Sequence, residues 1–159
     1  MALNHVETGQ YLRIGLGKET FAIPASIVRE ILDLGNMTPV PTANRVVGSL
    51  VNVRGRVVPL ADLRLRFNIE VKPPTIDSRI VVLELDIDRE ALVVGIIAEK
   101  VFEVSALDSM MEDDVPRVGM RWPPEFVKSI GRRNDEFVMV LDLGRVFNFG
   151  DDPVPEDKS

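Results

Sequence analysis

Arg54 is the residue of this chain best placed to do chemistry, and it stands in the run Asn52-Val53-Arg54-Gly55-Arg56-Val57-Val58-Pro59-Leu60-Ala61-Asp62-Leu63-Arg64. A guanidinium is a planar fork of donors that fits carboxylate or carbonyl oxygens, so its chemistry is recognition. The residues around it read as a strand, a tight Arg-Gly turn, a second strand and a short helix. Gly55 supplies the positive φ that such a turn asks for. Pro59 points to an edge strand or a strand end, since it cannot donate to a ladder. Asp62, just before Leu63-Arg64-Leu65-Arg66-Phe67, is set to accept a first-turn N–H, a cap worth ~1 kcal/mol. Asp142 has the same reading ahead of Leu143.

Groups that could support catalysis are sparse. The single histidine, His5, has no partner near it in sequence, and no serine sits in a G-x-S-x-G setting. Gly15-Leu16-Gly17 lacks the third glycine and the helix of a dinucleotide loop, and a hairpin turn explains it better. Asp86-Ile87-Asp88-Arg89-Glu90 begins like a calcium loop. Ala91 and Ile97 then stand where the loop's glycine and bidentate Glu are required. Glu112-Asp113-Asp114 reads as a solvated acidic loop. No catalytic, cofactor or metal site is therefore expected, and the chain reads as a binding protein, not an enzyme.

The elements that must position Arg54 follow from period-2 alternation. Leu12 to Leu16 and Phe21 to Ile23 form a hairpin about Gly17-Lys18. Pro24 and the spacing of Ile27, Val28, Ile31 and Leu32 predict a short amphipathic helix that ends at Gly35-Asn36. Thr38-Pro39-Val40-Pro41 is an extended connector. Val46–Val53 pairs with Arg56–Leu60. Ile80–Leu85 and Ala91–Ala98 are continuous apolar runs, as in strands buried on two faces, and Phe137–Leu141 closes a last hairpin. Trp122, between Arg121 and Pro123-Pro124, reads either as an exposed anchor or as a core plug.

This layout occurs twice. Asp62-Leu63 with Phe67 and Asp142-Leu143 with Phe147 share D-L-x-x-x-F at an offset of 80. Val28-Arg29-Glu30-Ile31 and Val101-Phe102-Glu103-Val104 share V-x-E-aliphatic at an offset of 73. Short strands with almost no long helix predict two small barrels. The expected organisation is one domain over 11–147. Its subdomains span about 11–70 and 76–147, meet near Val71-Lys72-Pro73-Pro74 and are able to exchange strands; 1–10 and 148–159 read as flexible termini.

Composition narrows the function. The 159 residues are 45% hydrophobic, enough for a core, and no apolar run reaches the length of a membrane span. With no signal-peptide pattern the expected location is the cytoplasm, and the absence of cysteine excludes disulfides and thiol chemistry. A net charge of −6 argues against nucleic-acid binding, although a small oligonucleotide-binding β-barrel stands as a distant alternative. Five arginines (Arg45, Arg54, Arg56, Arg64, Arg66) lie among Arg45–Arg66, and five acids between Glu103 and Asp114. These read as solvated faces able to steer an encounter.

The run from Asn52 to Arg64 resembles the N-[LV]-R-G-x-[VI]-[VI]-P-[VIL]-x-D-L-R motif of the CheW-type coupling proteins of bacterial chemotaxis. Phe21-Ala22-Ile23 with Val28-Arg29-Glu30-Ile31, Leu92 to Ile97 with Val101, and Glu125-Phe126 to Asp142-Leu143 extend the likeness from about Tyr11 to Phe147. Ser49 stands where the family usually has Gly, and Glu99 where it often has Asp. The resemblance implies a mainly β fold of two intertwined five-stranded SH3-like barrels with a few short helices. It implies a non-enzymatic adaptor that binds chemoreceptor cytoplasmic tips and the regulatory domain of a CheA-type histidine kinase, in arrays at the inner membrane but without inserting into it. A homologous adaptor of pilus motility or another chemosensory pathway is the alternative. Carried over, Val28, Glu30 and Arg54 fall on receptor-contact positions, with Asn52, Gly55, Pro59, Asp62 and Asp142 as the structural motif.

Overall fold

The computed structural model describes residues 9–35, 37–40, 46–87, 89–111 and 124–148. His5, Arg45, Glu112-Asp113-Asp114, Trp122 and most of the C-terminal tail lie outside them. In the first half the strands are β1 (Tyr11–Leu16), β2 (Glu19–Pro24), β3 (Val28–Asp33), β4 (Met37–Pro39), β5 (Val47–Val53) and β6 (Arg56–Ala61). In the second they are β7 (Arg79–Ile87), β8 (Glu90–Ala98), β9 (Lys100–Ser105), β10 (Ser109–Met111), β11 (Val127–Arg133) and β12 (Glu136–Leu141). Two short helices follow the strongest hairpins, α1 (Leu63–Phe67) after β6 and α2 (Leu143–Val146) after β12.

The strands form two sheets, ordered β10-β11-β12-β2-β1-β9 and β3-β7-β8-β6-β5-β4. Each sheet takes strands from both halves of the chain. The β1–β2 hairpin lies beside β12, and β7–β8 lies beside β6, each through a short parallel pairing. The architecture is the expected mainly β one, two curled sheets interlocked as SH3-like barrels. Each sheet has six strands, counting the short edge strands at Met37–Pro39 and Ser109–Met111.

Period-2 alternation explains the core. On β7, Val81, Leu83 and Leu85 face a core shared by both sheets, while Ile80 and Val82 face a smaller core inside their own sheet. In the other sheet, Met139 and Leu141 face the shared core and Val138 and Val140 turn the other way. Strands with apolar side chains on both faces thus read as unbroken hydrophobic runs. Gly95 lies where β8 crosses β6; a Cβ there would meet Ile80 and Leu60 at 3.2 Å.

The repeat extends to hydrogen bonds and bulges. Val47 pairs Ala61 and Ser49 pairs Leu60 across a bulge; Val127 pairs Leu141 and Ser129 pairs Val140 across another, each at an offset of 80. Asp62 N–H donates to the Val46 carbonyl at 2.8 Å, and Asp142 N–H to that of Phe126 at 2.9 Å. The earlier segments keep the offset of 73, since Ala22 beside Val140 corresponds to Gly95 beside Leu60.

One element differs from the sequence reading. The segment after Pro24 makes a single 3₁₀ turn at Ala25–Ile27 and then becomes β3, paired with β7, where a helix was expected. Ile27, Val28, Ile31 and Leu32 fit helical spacing, but three of the four are β-branched and an open edge of β7 was available to pair with them.

Candidate functional site

The β5–β6 hairpin turns through Arg54 at φ 52° and Gly55 at φ 83°, both left-handed, as a two-residue type I′ loop requires. Only one of the two positions is glycine, so the turn needs support. Asn52 provides it: its Oδ1 accepts the Gly55 N–H at 2.9 Å. The corresponding turn of β11–β12 uses Asn134 at 52° and Asp135 at 65°, with the Asn134 N–H donating to Asp108 Oδ2 at 3.0 Å. Turn geometry is shared, but the lock differs. Asn52→Ala is expected to cost about 0.5–1.5 kcal/mol, the usual net worth of one such hydrogen bond, read as a small drop in the thermal midpoint.

From this turn Arg54 reaches Glu30 on β3, with Nε 2.5 Å from Oε2. The Arg54 side chain is 79% exposed and that of Glu30 22%. The hydrogen bond to Glu30, and then its charge, raise the Arg54 pKa above the ordinary arginine value, so the guanidinium is always charged. Among the described residues the guanidinium is engaged through Nε, and its two Nη groups have no hydrogen-bond acceptor there. Beneath lies a cleft of about 80 Å³ with Val53, Val58, Val82 and Val93 among its walls, and Arg29, Arg54 and Arg56 on its rim. Arg29 is ion-paired with Glu84.

Glu30 and Arg54 are therefore in contact and reachable from outside. Val28 is not part of the cleft wall. It lies on the far side of a β3 bulge, opposite Leu83, and packs partly buried against the shared core. Pro59 lies on an interior strand, between β5 and β8, where an edge or strand end was expected. It is tolerated because pairing of β6 with β8 begins only at Leu60. The two-residue turn makes Val53↔Arg56 a hydrogen-bonded pair, and alternation from there turns the Pro59 nitrogen away from Leu50.

Asp62 caps α1, its Oδ1 accepting the Arg64 N–H at 3.1 Å, and Asp142 caps α2 by accepting the Arg145 N–H at 3.2 Å. Asp62 has a second role that sequence spacing did not show. It holds Arg64 side-on, with Nε–Oδ1 and Nη2–Oδ2 both 2.9 Å. Arg64 Nη1 donates to Glu99 Oε2 at 3.0 Å, and Glu99 Oε1 accepts the Gly17 N–H at 2.9 Å. Glu99, a minor departure when read in the sequence, is thus the link between α1, the β8–β9 corner and the β1–β2 turn. Gly17 must be glycine: its φ is +62°, and a Cβ would approach Ile69 Cγ2 to 2.8 Å. Ser49, the other departure, sits beside the β5 bulge with no left-handed φ.

The arginine-rich stretch is only partly a solvated face. Arg64 is buried, and Arg66 donates to the Val146 and Asn148 carbonyls, both at 2.9 Å, at the C-terminal end of α2. Its guanidinium also lies 4.8 Å from the centre of the Phe126 ring. The exposed cations of the hairpin are Arg54 and Arg56.

Fold and site together define a double SH3-like β-barrel with an arginine-tipped hairpin above a small apolar cleft. The chain belongs to the CheW-like domain family, whose family model matches residues 10–150. It is 25% identical over 154 residues to a chemotaxis protein CheW of Treponema pallidum, covering 93% of this chain and 86% of the relative. To a chemotaxis protein CheW of Helicobacter pylori it is 27% identical over 135 residues, covering 85% and 79%. The crystal structure of the scaffolding protein TtCheW from Thermoanaerobacter tengcongensis superposes with a TM-score of 0.75 at 25% identity, covering 87% of both chains.

Proposed function

We propose that this protein is a non-enzymatic chemotaxis adaptor that docks chemoreceptor signalling tips and couples them to a CheA-type histidine kinase. The observation that carries the receptor half of this reading is the exposed Arg54–Glu30 pair on a locked turn. The turn restricts the backbone of Arg54 and Glu30 restrains its side chain, so less conformational entropy is lost on binding. Family membership and the similarity to a scaffolding protein support the adaptor role. Val28, on the same strand and only partly buried, is the apolar contact of this surface that the family resemblance implies. Among the described residues no helix is long and apolar enough to cross a bilayer, so attachment to a membrane array would pass through the receptor.

An adaptor alters kinase activity only if its contacts differ between receptor states, so differential binding is the mechanism. Arg54→Ala is expected to weaken binding to a soluble chemoreceptor tip fragment by about 2 kcal/mol, roughly 30-fold, as for a central interface arginine. Its thermal midpoint should barely move, because the side chain is exposed. Titration calorimetry with a parallel melt checks both, and unchanged affinity removes Arg54 from the site.

A further inference from the structure

Around the cleft, the cations are not equally engaged. Arg29 has Glu84 and Arg54 has Glu30. The side chain of Arg56, exposed and directly across the turn from Val53, makes no ion pair or hydrogen bond among the described residues. With Arg29 paired to Glu84 and Arg54 to Glu30, Arg56 is the one arginine of the cleft lining whose charge is not matched by a carboxylate among the described residues. The apolar floor beneath is small. At about 80 Å³ it falls well short of the roughly 150 Å³ cavity that admits benzene, and matches a single aliphatic side chain.

We propose that Arg56 is a specificity-determining contact of this surface. It pairs with a carboxylate on the partner that lies next to an aliphatic side chain seated on Val53, Val58, Val82 and Val93. The occupant is thus an acidic, aliphatic segment of the receptor tip, and the inference rests on the reading of that surface as the receptor dock. The physical grounds are charge complementarity and depth. A rim cation with no internal partner forms a new pair without first breaking one, unlike Arg29 and Arg54. Because Arg56 sits on the rim, its main effect falls on association and salt dependence.

The test uses the full chain and a soluble fragment of a chemoreceptor signalling tip, with affinity measured at several salt concentrations. Arg56→Gln is expected to weaken binding by roughly 3- to 10-fold and to flatten the salt dependence, and Arg56→Glu by about 30-fold or more, since reversal adds repulsion to the lost attraction. Reversing one acid of the tip fragment to lysine should restore binding to the Arg56→Glu variant while weakening binding to the parent. If Arg56→Glu binds like the parent while Arg54→Ala does not, the assignment of Arg56 is wrong and the docking surface stands. If neither variant loses affinity, the docking surface itself is wrong. A loss at Arg56→Glu that no reversal on the tip restores also overturns the pairing. Arg56→Gln, which keeps size and polarity at an exposed position, keeps the result readable if Arg56→Glu folds poorly.

Discussion

Replacing Arg64 by alanine is expected to destabilise the protein by about 3–5 kcal/mol, the range for removing one partner of a buried ion pair. Its side chain is 7% exposed and joins Asp62 through two bonds, Glu99 through one and the Lys72 carbonyl through a fourth at 3.2 Å. Without it, the carboxylates of Asp62 and Glu99, 17% and 24% exposed, lose the cation that bridges them. The hydrogen bonds that Arg64 donates to Asp62 are the largest influence on its pKa and raise it, against the opposing effect of burial. A folded-state pKa above the unfolded one favours the native state throughout the range where arginine is protonated, so this contribution is present at any ordinary pH. Urea unfolding should show a lower midpoint with little change in slope. Arg64→Lys should recover only part of the loss, because an ammonium cannot reproduce the side-on fork to Asp62. A midpoint equal to the parent's in Arg64→Ala would show that the cluster contributes nothing.

The same cluster shows what a linear reading can and cannot see. Alternation at Leu12–Leu16 marks a strand because each side chain must choose a face, and the short unbroken apolar run Phe137–Leu141 marks one buried on both faces. The two D-L-x-x-x-F motifs were readable for the same reason: a cap and a buried aromatic are local features with fixed spacing. Arg64 and Glu99 are 35 residues apart, and Arg66 reaches carbonyls about 80 residues away. No periodicity encodes such pairs, so both arginines read as part of a solvated cluster. The segment Val28–Asp33 reads as helical because its apolar residues keep helical spacing, whereas β-branching and the open edge of β7 make it a strand with a bulge after Val28. Arg54 was visible through its Asn-x-Arg-Gly setting. Its pairing with Glu30 was not derivable from spacing, nor was the partial burial of Val28 against the shared core.

Phe67→Ala should rank with Arg64→Ala, at about 3–5 kcal/mol, the range for deleting a buried ring. Phe67 ends the first D-L-x-x-x-F motif and has no exposed surface. Its ring centre is 5.3 Å from that of Phe21 on β2 and 5.4 Å from that of Phe126, which precedes β11. One side chain from α1 thus fills the space between a strand of the first half and a segment of the second, where the interlocked sheets share their core. The cost follows from position. Close packing prevents the surrounding strands from collapsing into the void, so lost transfer energy and cavity add. Phe67→Leu, which keeps most of the volume, should lose clearly less, and a ranking of Ala below Leu below the parent in thermal and urea midpoints checks the packing account. Because the ring lies away from the cleft at Arg54, both variants should bind a receptor tip fragment normally at temperatures where they remain folded. Weaker binding by folded Phe67→Leu would mean that the shared core and the docking hairpin are energetically coupled across the barrel.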